Sequence, residues 1–201
     1  MTPVAQAASA PQAFGAEPVG GQSAGTVPGG PLVRRELAAL RRVQSALGDR
    51  RIVGAARAMS LFGEHSAGWF ALGLVGAAVD RKRRRQWLVA ASTVVGAHLA
   101  SIAVKRVVRR PRPDDPDVRV LVGTPSRLSF PSSHAASTTA AAVLYGGLTG
   151  RPAAASVVPP MLVSRMLLGV HYPSDVLAGS ALGGLIGGVV LRWLRRERRT
   201  T

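Results

Sequence analysis

The fold of this chain is decided by residues 81 to 113, which read RKRRRQWLVAASTVVGAHLASIAVKRVVRRPRP. A block of basic residues is followed by an uncharged run of 18 residues, Trp87 to Val104, and then by a second basic block that begins at Lys105. A hydrocarbon core of ~30 Å requires about 20 helical residues. Together with its interfacial flanks, the run is therefore predicted to form a helix that spans a membrane.

The same alternation of apolar runs and basic blocks continues in both directions along the chain. Four further apolar runs cover residues 66–79, 135–150, 153–170 and 176–191. The last run is rich in glycine, which favours close contact between helices. Five spans fit these runs, and residues 52–62 fit a sixth, partly inserted helix. We therefore expect an all-α, polytopic membrane helix bundle of about five to six spans.

Composition excludes several classes of function. The chain has 26 Lys and Arg against 10 Asp and Glu, yet 47% of its residues are apolar. Because the basic residues collect between apolar runs, the soluble basic face needed for nucleic-acid binding is not expected. The absence of cysteine excludes a disulfide framework, a thiol nucleophile and a thiolate zinc site.

Four segments are expected along the chain. Residues 1–31, rich in Pro, Gly, Ala and Ser, are predicted to be a disordered tail. Residues 32–50 are predicted to form a basic amphipathic helix at the interface of an anionic leaflet, the alternative being a packed or solvated surface helix. Residues 51–194 would form the membrane domain, and residues 195–201 a basic cytoplasmic tail.

Orientation follows from the basic loops, which remain cytoplasmic in membrane proteins. The loop 81–85 and the arginines after residue 191 are both predicted to lie inside the cell. This arrangement places residues 105–134 and 171–175 on the extracytoplasmic face of the plasma membrane. The N-terminal arginines also favour the inside, which would require residues 52–62 to cross or re-enter.

Three polar clusters fall on this one predicted face. They are residues 105–113, 131–134 and 164–175. Guanidinium groups match phosphate oxygens, and the first turn of a helix near His134 offers free N–H groups to an anion. His134 and His171 supply two imidazoles that titrate near neutral pH, enough for one nucleophile and one acid. Asp175 lies four residues after His171 and can accept a ring N–H from it.

No metal and no cofactor are expected at these clusters. A metal-dependent phosphatase requires several convergent carboxylates or histidines, and the remaining acidic residues are scattered or grouped in the loop 114–117. His98, alone within a span, is interpreted as a hydrogen-bonded bundle residue. Glu64 and His65 suit either helix capping or headgroup contact. The arginines at 106, 109 and 110 suit a second anionic group or simple solvation.

The three clusters together resemble the motifs of the type 2 phosphatidic acid phosphatase (PAP2) superfamily. Lys105 with Arg112 and Pro113 is similar to the first motif of that family. Residues 131–134, Pro-Ser-Ser-His, are similar to its second motif, Pro-Ser-Gly-His. The third motif is matched by Ser164, Arg165, His171 and Asp175.

This resemblance implies hydrolysis of a lipid phosphate through a phosphohistidine. His171 would attack phosphorus, Asp175 would orient it, and His134 would protonate the leaving group. The implied ligands of the phosphoryl oxygens are Lys105, Arg112, Ser132, Arg165 and the backbone N–H of Ser133. Ser133 replaces the glycine of the family, and a positive φ would be uncomfortable for serine.

The substrate class is narrowed by a second resemblance. Residues 62–66, 123–130 and 169–173 are similar to a small actinobacterial subgroup of the family whose substrate is a polyprenyl-phosphate-linked sugar phosphate, decaprenylphosphoryl-5-phosphoribose, a precursor of cell-wall arabinan. Alternatives are a polyprenyl diphosphate, phosphatidic acid and phosphatidylglycerophosphate. A non-enzymatic basic membrane scaffold is the alternative from another class, and it would be indifferent to the loss of His171. The sequence leaves the oligomeric state open.

Overall fold

The computed structural model describes residues 30–200, and this range is almost entirely helical. The seven α-helices of the described range are α1 (Pro31–Leu47), α2 (Arg50–Gly63), α3 (Ala67–Val79), α4 (Arg84–Val108), α5 (Ser133–Thr149), α6 (Val158–Leu167) and α7 (Pro173–Thr200). Short 3₁₀ turns cover residues 64–66, 81–83 and 152–157. The prediction of an all-α fold is confirmed. The predicted disordered tail lies, apart from residues 30 and 31, outside the described residues, as does residue 201.

The centre of the bundle is formed by α3, α4, α5 and α7. Trp87 and Val94 of α4 pack against Leu144 and Tyr145 of α5 in a buried cluster that is otherwise rich in alanine. The Trp87 and Tyr145 rings lie 5.3 Å apart between their centroids. Small side chains let the helix axes approach closely, so the few large residues fill the remaining space between them.

A row of glycines brings α7 against α5. A Cβ atom at Gly179, Gly183 or Gly187 would meet the backbone of α5, and at Gly183 it would overlap the carbonyl oxygen of Ala136. These glycines are four residues apart, so they lie on one face of α7. The close helix contact predicted from residues 176–191 is therefore present, and it positions the first turn of α7 beside the first turn of α5.

The bundle has two distinct ends. At the end called here the basic end, the Arg83 guanidinium donates to the carbonyl oxygen of Leu148, and Arg85 forms a 2.7 Å ion pair with Glu197 of α7. The opposite end, called the site end, holds the last turns of α4 and α6 and the first turns of α5 and α7. All three motif clusters of the sequence lie at the site end.

Helix α1 packs on the site end, which corrects one expectation. The Gln44 side chain donates to the carbonyl oxygens of Arg119 (2.7 Å) and Leu167 (3.0 Å), and Leu37 and Leu40 are buried beside Tyr172. The expectation that the arginines of α1 share a side with residues 81–85 is wrong, because they lie at opposite ends of the bundle. The apolar face of α1 packs against the rest of the chain, which accounts for that side of its amphipathic pattern.

Helices α2 and α3 follow one path from the site end towards the basic end. Ala56 of α2 packs beside Leu167 of α6, whereas Gly63 approaches Met161, so α2 runs antiparallel to α6. Helix α3 then continues towards the loop 81–83. Residues 52–62, predicted as a separate and partly inserted helix, form the first part of this kinked path.

Two of the described helices are long and apolar enough to cross a membrane. They are α4 with its preceding turn, residues 81–108, and the segment 173–198 of α7. The predicted total of five to six spans stays a prediction.

Candidate active site

A cavity of about 360 Å³ opens at the site end. All three motif clusters contribute to its wall: Lys105 and Arg112 from the first, Ser133 and His134 from the second, and Arg165 and His171 from the third. The remaining wall comes from the α2–α3 kink, from α4 and from the loop 122–128. Residues far apart in sequence therefore meet because α4, α5, α6 and α7 all begin or end here.

The His171 ring lies beside the Asp175 carboxylate, although its buried Nδ1 atom makes no hydrogen bond within the described residues. The His171 Nδ1 atom lies 3.5 Å from Asp175 Oδ2, and both side chains are buried. The Nε2 atom of His171 lies 3.4 Å from the Arg112 guanidinium, on the cavity side. Burial, followed by the nearby cations of Arg112, Arg165 and Lys105, holds the pKa of His171 well below its usual value. A neutral imidazole with Nε2 facing the cavity is suited to act as a nucleophile.

Asp175 is held by a network that the sequence analysis missed. The Arg110 guanidinium donates to Asp175 Oδ1 (2.8 Å) and to Glu36 Oε2 (2.5 Å), while the backbone N–H of Tyr172 donates to Asp175 Oδ2 (2.8 Å). Arg110 also lies 4.0 Å above the Tyr172 ring. Glu36 in turn accepts the backbone N–H of Ser174 at 2.9 Å. Arg110 is therefore neither a solvated charge nor a second anion ligand; it fixes the carboxylate.

Three cations lie near the His171 ring, of which Lys105 and Arg165 are buried and Arg112 is half-buried. Lys105 donates to the carbonyl oxygens of Ser129 and Pro131, which fixes its ammonium group beside the second motif. Arg112 donates to the carbonyl oxygens of Ser126 (2.8 Å) and Val170 (2.6 Å). Burial lowers the pKa of Arg112 to about 10, so the group is still a cation at neutral pH.

Arg165 is directed into the same space from α6. Its Nη1 atom donates to the Ser60 hydroxyl, and its buried Nε atom has no hydrogen-bond partner among the described residues. A buried charged donor without a partner is costly. An anion bound in the cavity would supply the missing acceptor.

His134 lies at the start of α5, opposite His171. Its Nε2 atom is 3.0 Å from the carbonyl oxygen of Ser60. When Nε2 carries the proton, it donates a hydrogen bond to this oxygen. Gly63 leaves room for this ring, since a Cβ there would come within 2.8 Å of His134 Cδ2. The remaining nitrogen, Nδ1, is then the one that can exchange a proton.

The two serines of the second motif have different positions. The Ser132 hydroxyl is fully buried and caps α5, 3.5 Å from the N–H of Ala135, behind the cavity wall. The hydroxyl therefore serves as a helix cap here, and its contact with phosphate stays a prediction. Ser133 lines the cavity and lies 2.7 Å from the Ser101 hydroxyl. Ser133 is the first residue of α5 and does not have a positive φ, so serine is accommodated where the family has glycine.

The α2–α3 kink lies at the edge of the cavity. His65 and Ser66 both have left-handed backbone conformations, with φ of 49° and 58°. Such conformations cost a non-glycine residue of the order of 1 kcal/mol and cluster at functional sites. Glu64 and His65 line the cavity beside this kink, so headgroup contact is open to both.

His98 differs from its interpretation as a hydrogen-bonded bundle residue. Its side chain lines the cavity, and its buried Nδ1 atom has no hydrogen-bond partner among the described residues. The sequence contained a signal, since His98 precedes Lys105 by seven residues and therefore lies on the same face of α4. Within residues 30–200, no group of three histidine or carboxylate side chains is placed to hold a metal ion. Chemistry without a metal stays a prediction.

Motif spacing, helix bundle and cavity together define a membrane phosphatase of one family. The PAP2 superfamily model matches residues 85–199, and the chain belongs to that superfamily. The resemblance inferred from the three motifs is confirmed.

Particular relatives narrow the comparison. The chain is 54% identical over 158 residues to decaprenylphosphoryl-5-phosphoribose phosphatase of Mycobacterium tuberculosis. The aligned region covers 78% of this chain and 89% of the relative. The chain is 57% identical over 147 residues to the protein of the same name from Mycolicibacterium smegmatis, covering 73% and 82% of the two chains.

Solved structures agree with the fold. A transmembrane PAP2-type phosphatidylglycerolphosphate phosphatase from Bacillus subtilis is similar with a TM-score of 0.69 at 21% identity, covering 83% of this chain and 88% of the other. LpxE from Aquifex aeolicus gives a TM-score of 0.66 at 21% identity, covering 79% and 95%. At this identity the likeness concerns the fold alone.

Proposed function

We propose that this protein hydrolyses the phosphomonoester of a polyprenylphosphoryl ribose 5-phosphate and releases inorganic phosphate. The observation that supports it best is the cavity that His171 and His134 line together with the three cations Lys105, Arg112 and Arg165. The substrate is proposed from the identity of 54–57% to relatives named decaprenylphosphoryl-5-phosphoribose phosphatase.

The reaction would proceed in two steps. His171 Nε2 attacks phosphorus, the P–O bond to the sugar breaks, and the His134 imidazolium gives its proton to the departing alkoxide. His134 then takes a proton from water, the resulting hydroxide attacks phosphorus, and the P–N bond breaks to release phosphate and neutral His171. Through both steps Asp175 would accept the Nδ1–H of His171 and stabilise the positive charge that develops on its ring.

Charge stabilisation would come from Lys105, Arg112 and Arg165. Arg112 lies 3.4 Å from His171 Nε2 and Arg165 lines the same cavity, so the oxygens of a phosphoryl group bound there would meet donors from both guanidinium groups. The backbone N–H of Ser133, at the start of α5, would add the positive end of a helix dipole.

The test is phosphate release from the purified protein in detergent. The substrates are a short-chain prenylphosphoryl ribose 5-phosphate, a prenyl diphosphate, phosphatidic acid and phosphatidylglycerophosphate, each with and without EDTA. We expect the ribose 5-phosphate to have the highest kcat/KM and EDTA to have no effect. A preference for another member of the panel would overturn the substrate, and loss of activity in EDTA would overturn the metal-free mechanism.

We also propose that the site end faces away from the cytoplasm. Residues 81–85 and the arginines at the end of α7 lie together at the basic end, where the positive-inside rule would retain them. The arginines of α1 lie at the site end and oppose this placement, so the two sets of charges compete.

Labelling in intact cells decides between the two orientations. The chain has no cysteine, so Lys82→Cys and Val120→Cys, both at exposed positions, introduce single thiols at the basic end and the site end. We expect a membrane-impermeant thiol reagent to label position 120 only. Labelling of position 82 alone would reverse the orientation.

A further inference from the structure

The cavity extends beyond the groups that the proposed reaction uses. His98 lies on α4 seven residues before Lys105, which is about 10 Å along the helix towards the middle of the bundle. Its side chain is only 8% exposed, and its Nδ1 atom is buried without a partner while the ring lines the cavity. Buried polar atoms are nearly always hydrogen-bonded in folded proteins, so an exception at a cavity wall points to a ligand.

Two further polar side chains that the reaction does not use, His65 and Glu64, line the same cavity. The His65 ring lies 6.2 Å from the His98 ring between centroids. Glu64, its neighbour at the kink, lines the cavity and interacts electrostatically with Arg165. The kink therefore places a carboxylate next to the cation cluster and an imidazole next to His98.

We propose that Glu64, His65 and His98 form a second subsite, which binds the hydroxyl groups of a sugar that lies between the phosphate being cleaved and the lipid chain. This subsite rests on the proposed phosphatase function, and it deepens that function by assigning the residues that select a sugar headgroup.

The donor and acceptor chemistry of these side chains favours a hydroxylated ligand. The Glu64 carboxylate accepts hydrogen bonds and repels a second phosphate, so it suits hydroxyl donors and disfavours a diphosphate. A neutral imidazole can both donate and accept, which matches a hydroxyl group. A cluster made only of cations would have indicated a second anion instead.

The position of the subsite agrees with the geometry of a membrane lipid. Leu99 follows His98 on α4 and is 58% exposed, and Leu61 and Phe62, just before the kink, are 73% and 44% exposed. Apolar surface of this kind is suited to contact with lipid chains. A headgroup that passes from the cation cluster to His98 would leave its lipid chain at these side chains.

The experiment compares two substrates that differ only in the hydroxyl groups. They are farnesylphosphoryl ribose 5-phosphate and its 2,3-dideoxy analogue, which share the scissile phosphate, the leaving group and the lipid chain. Wild type should prefer the ribose substrate about tenfold in kcat/KM, since a hydrogen bond to a buried group is worth up to about that factor. His98→Phe and Glu64→Ala should reduce this preference to about one.

Controls separate the subsite from general damage. The preference is a ratio within one protein sample, so it does not depend on the fraction folded. Ser92→Ala, at an exposed position of α4 that does not line the cavity, should keep the wild-type ratio. His98→Gln, which keeps a donor and an acceptor, should restore part of the preference.

The two possible failures are distinguishable. Equal hydrolysis of both substrates by wild type, or an undiminished preference in both variants, would overturn the subsite and leave the phosphatase in place. Hydrolysis of neither substrate by wild type would overturn the proposed function and the subsite with it.

Discussion

Replacement of Arg110 by methionine tests whether the network behind His171 contributes to catalysis. Arg110 does not line the cavity, yet its guanidinium joins Asp175 Oδ1 (2.8 Å) to Glu36 Oε2 (2.5 Å). Without it, Oδ1 loses a charge-assisted hydrogen bond, and the buried carboxylate can turn away from His171 Nδ1, which is already 3.5 Å distant. We expect kcat to fall and KM to change little.

The magnitude follows from that one hydrogen bond. Hydrogen bonds to charged groups are worth about 1.5–3 kcal/mol. At about 1.36 kcal/mol for each factor of ten, complete transfer of this energy to the transition state corresponds to a loss in kcat of about 10- to 150-fold. Arg110→Lys should fall between wild type and Arg110→Met, because an ammonium group retains charge but does not reproduce the planar fork that joins two carboxylates.

Single-turnover phosphate release at saturating substrate is the appropriate assay. Breaking a buried ion pair also destabilises the fold, so each variant is compared after its folded fraction is measured by size-exclusion chromatography. Arg109→Met is the matched control, because Arg109 is adjacent and exposed, and within the described residues its side chain donates only to the Arg106 carbonyl oxygen.

A double variant identifies the route of the effect. If Arg110 acts through Asp175, then Arg110→Met should add little in an Asp175→Asn background. A kcat of Arg110→Met within twofold of wild type would refute the reasoning. So would a double variant whose loss in kcat equals the product of the losses in the two single variants.

Three further predictions follow from the same geometry. Gly183→Ala should destabilise the bundle by about 1–3 kcal/mol, because the added Cβ would overlap the Ala136 carbonyl oxygen. Gly188→Ala, where the space is open, should be neutral or slightly stabilising. Thermal unfolding in detergent measures both changes, and an equal loss of stability in the two variants would contradict the prediction. His134→Ala should slow a lipid alkoxide substrate ~10²–10⁴-fold but an activated aryl phosphate far less, and equal losses would exclude His134 as the acid. Because the pKa of His171 is lowered in the folded protein, its ring stays neutral as the pH falls until that lowered pKa is reached. The acid limb of the pH profile of kcat/KM that belongs to His171 should therefore lie below pH 6.5. A limb at or above pH 6.5, after correction for substrate ionisation, would be inconsistent with the site.

Much of the fold could be predicted because membrane insertion imposes a local rule. Apolar length and basic flanks are readable in a short window, so the sequence located α4 and α7, the two described helices that are long and apolar enough to cross a membrane. The glycine spacing along α7 was also a local pattern, and it correctly indicated a close helix contact.

The position of α1 could not be predicted by the same means. Its amphipathic pattern shows that one face is covered, but the covering group is a loop more than 70 residues away, reached through Gln44 and Arg119. The pairing of Glu36 with Arg110 has the same origin. Such long-range pairs depend on tertiary geometry, which a single sequence does not contain.

The candidate site was predictable where spacing within one helix or turn determined it. His171 and Asp175, four residues apart, were expected to meet and lie 3.5 Å apart. The contribution of Ser132 depended on a competition between helix capping and phosphate contact, and the structure has the cap. The seven-residue spacing from Lys105 indicated the face of α4 on which His98 lies, but that the cavity extends along this face as far as His98 is evident only from the structure.

Location of the phosphoryl group on the protein tests the central claim most directly. Purified wild-type protein is mixed with a prenylphosphoryl ribose 5-phosphate labelled in its 5-phosphate, quenched in alkali within one turnover and digested for mass spectrometry. His134→Ala is treated in the same way with a labelled activated aryl phosphate, whose leaving group needs no acid, so that the intermediate forms but is hydrolysed more slowly. We expect an acid-labile, base-stable phosphoryl group on His171. An active protein that carries the phosphoryl group on another residue, or a His171→Ala variant that still turns over, would contradict the mechanism.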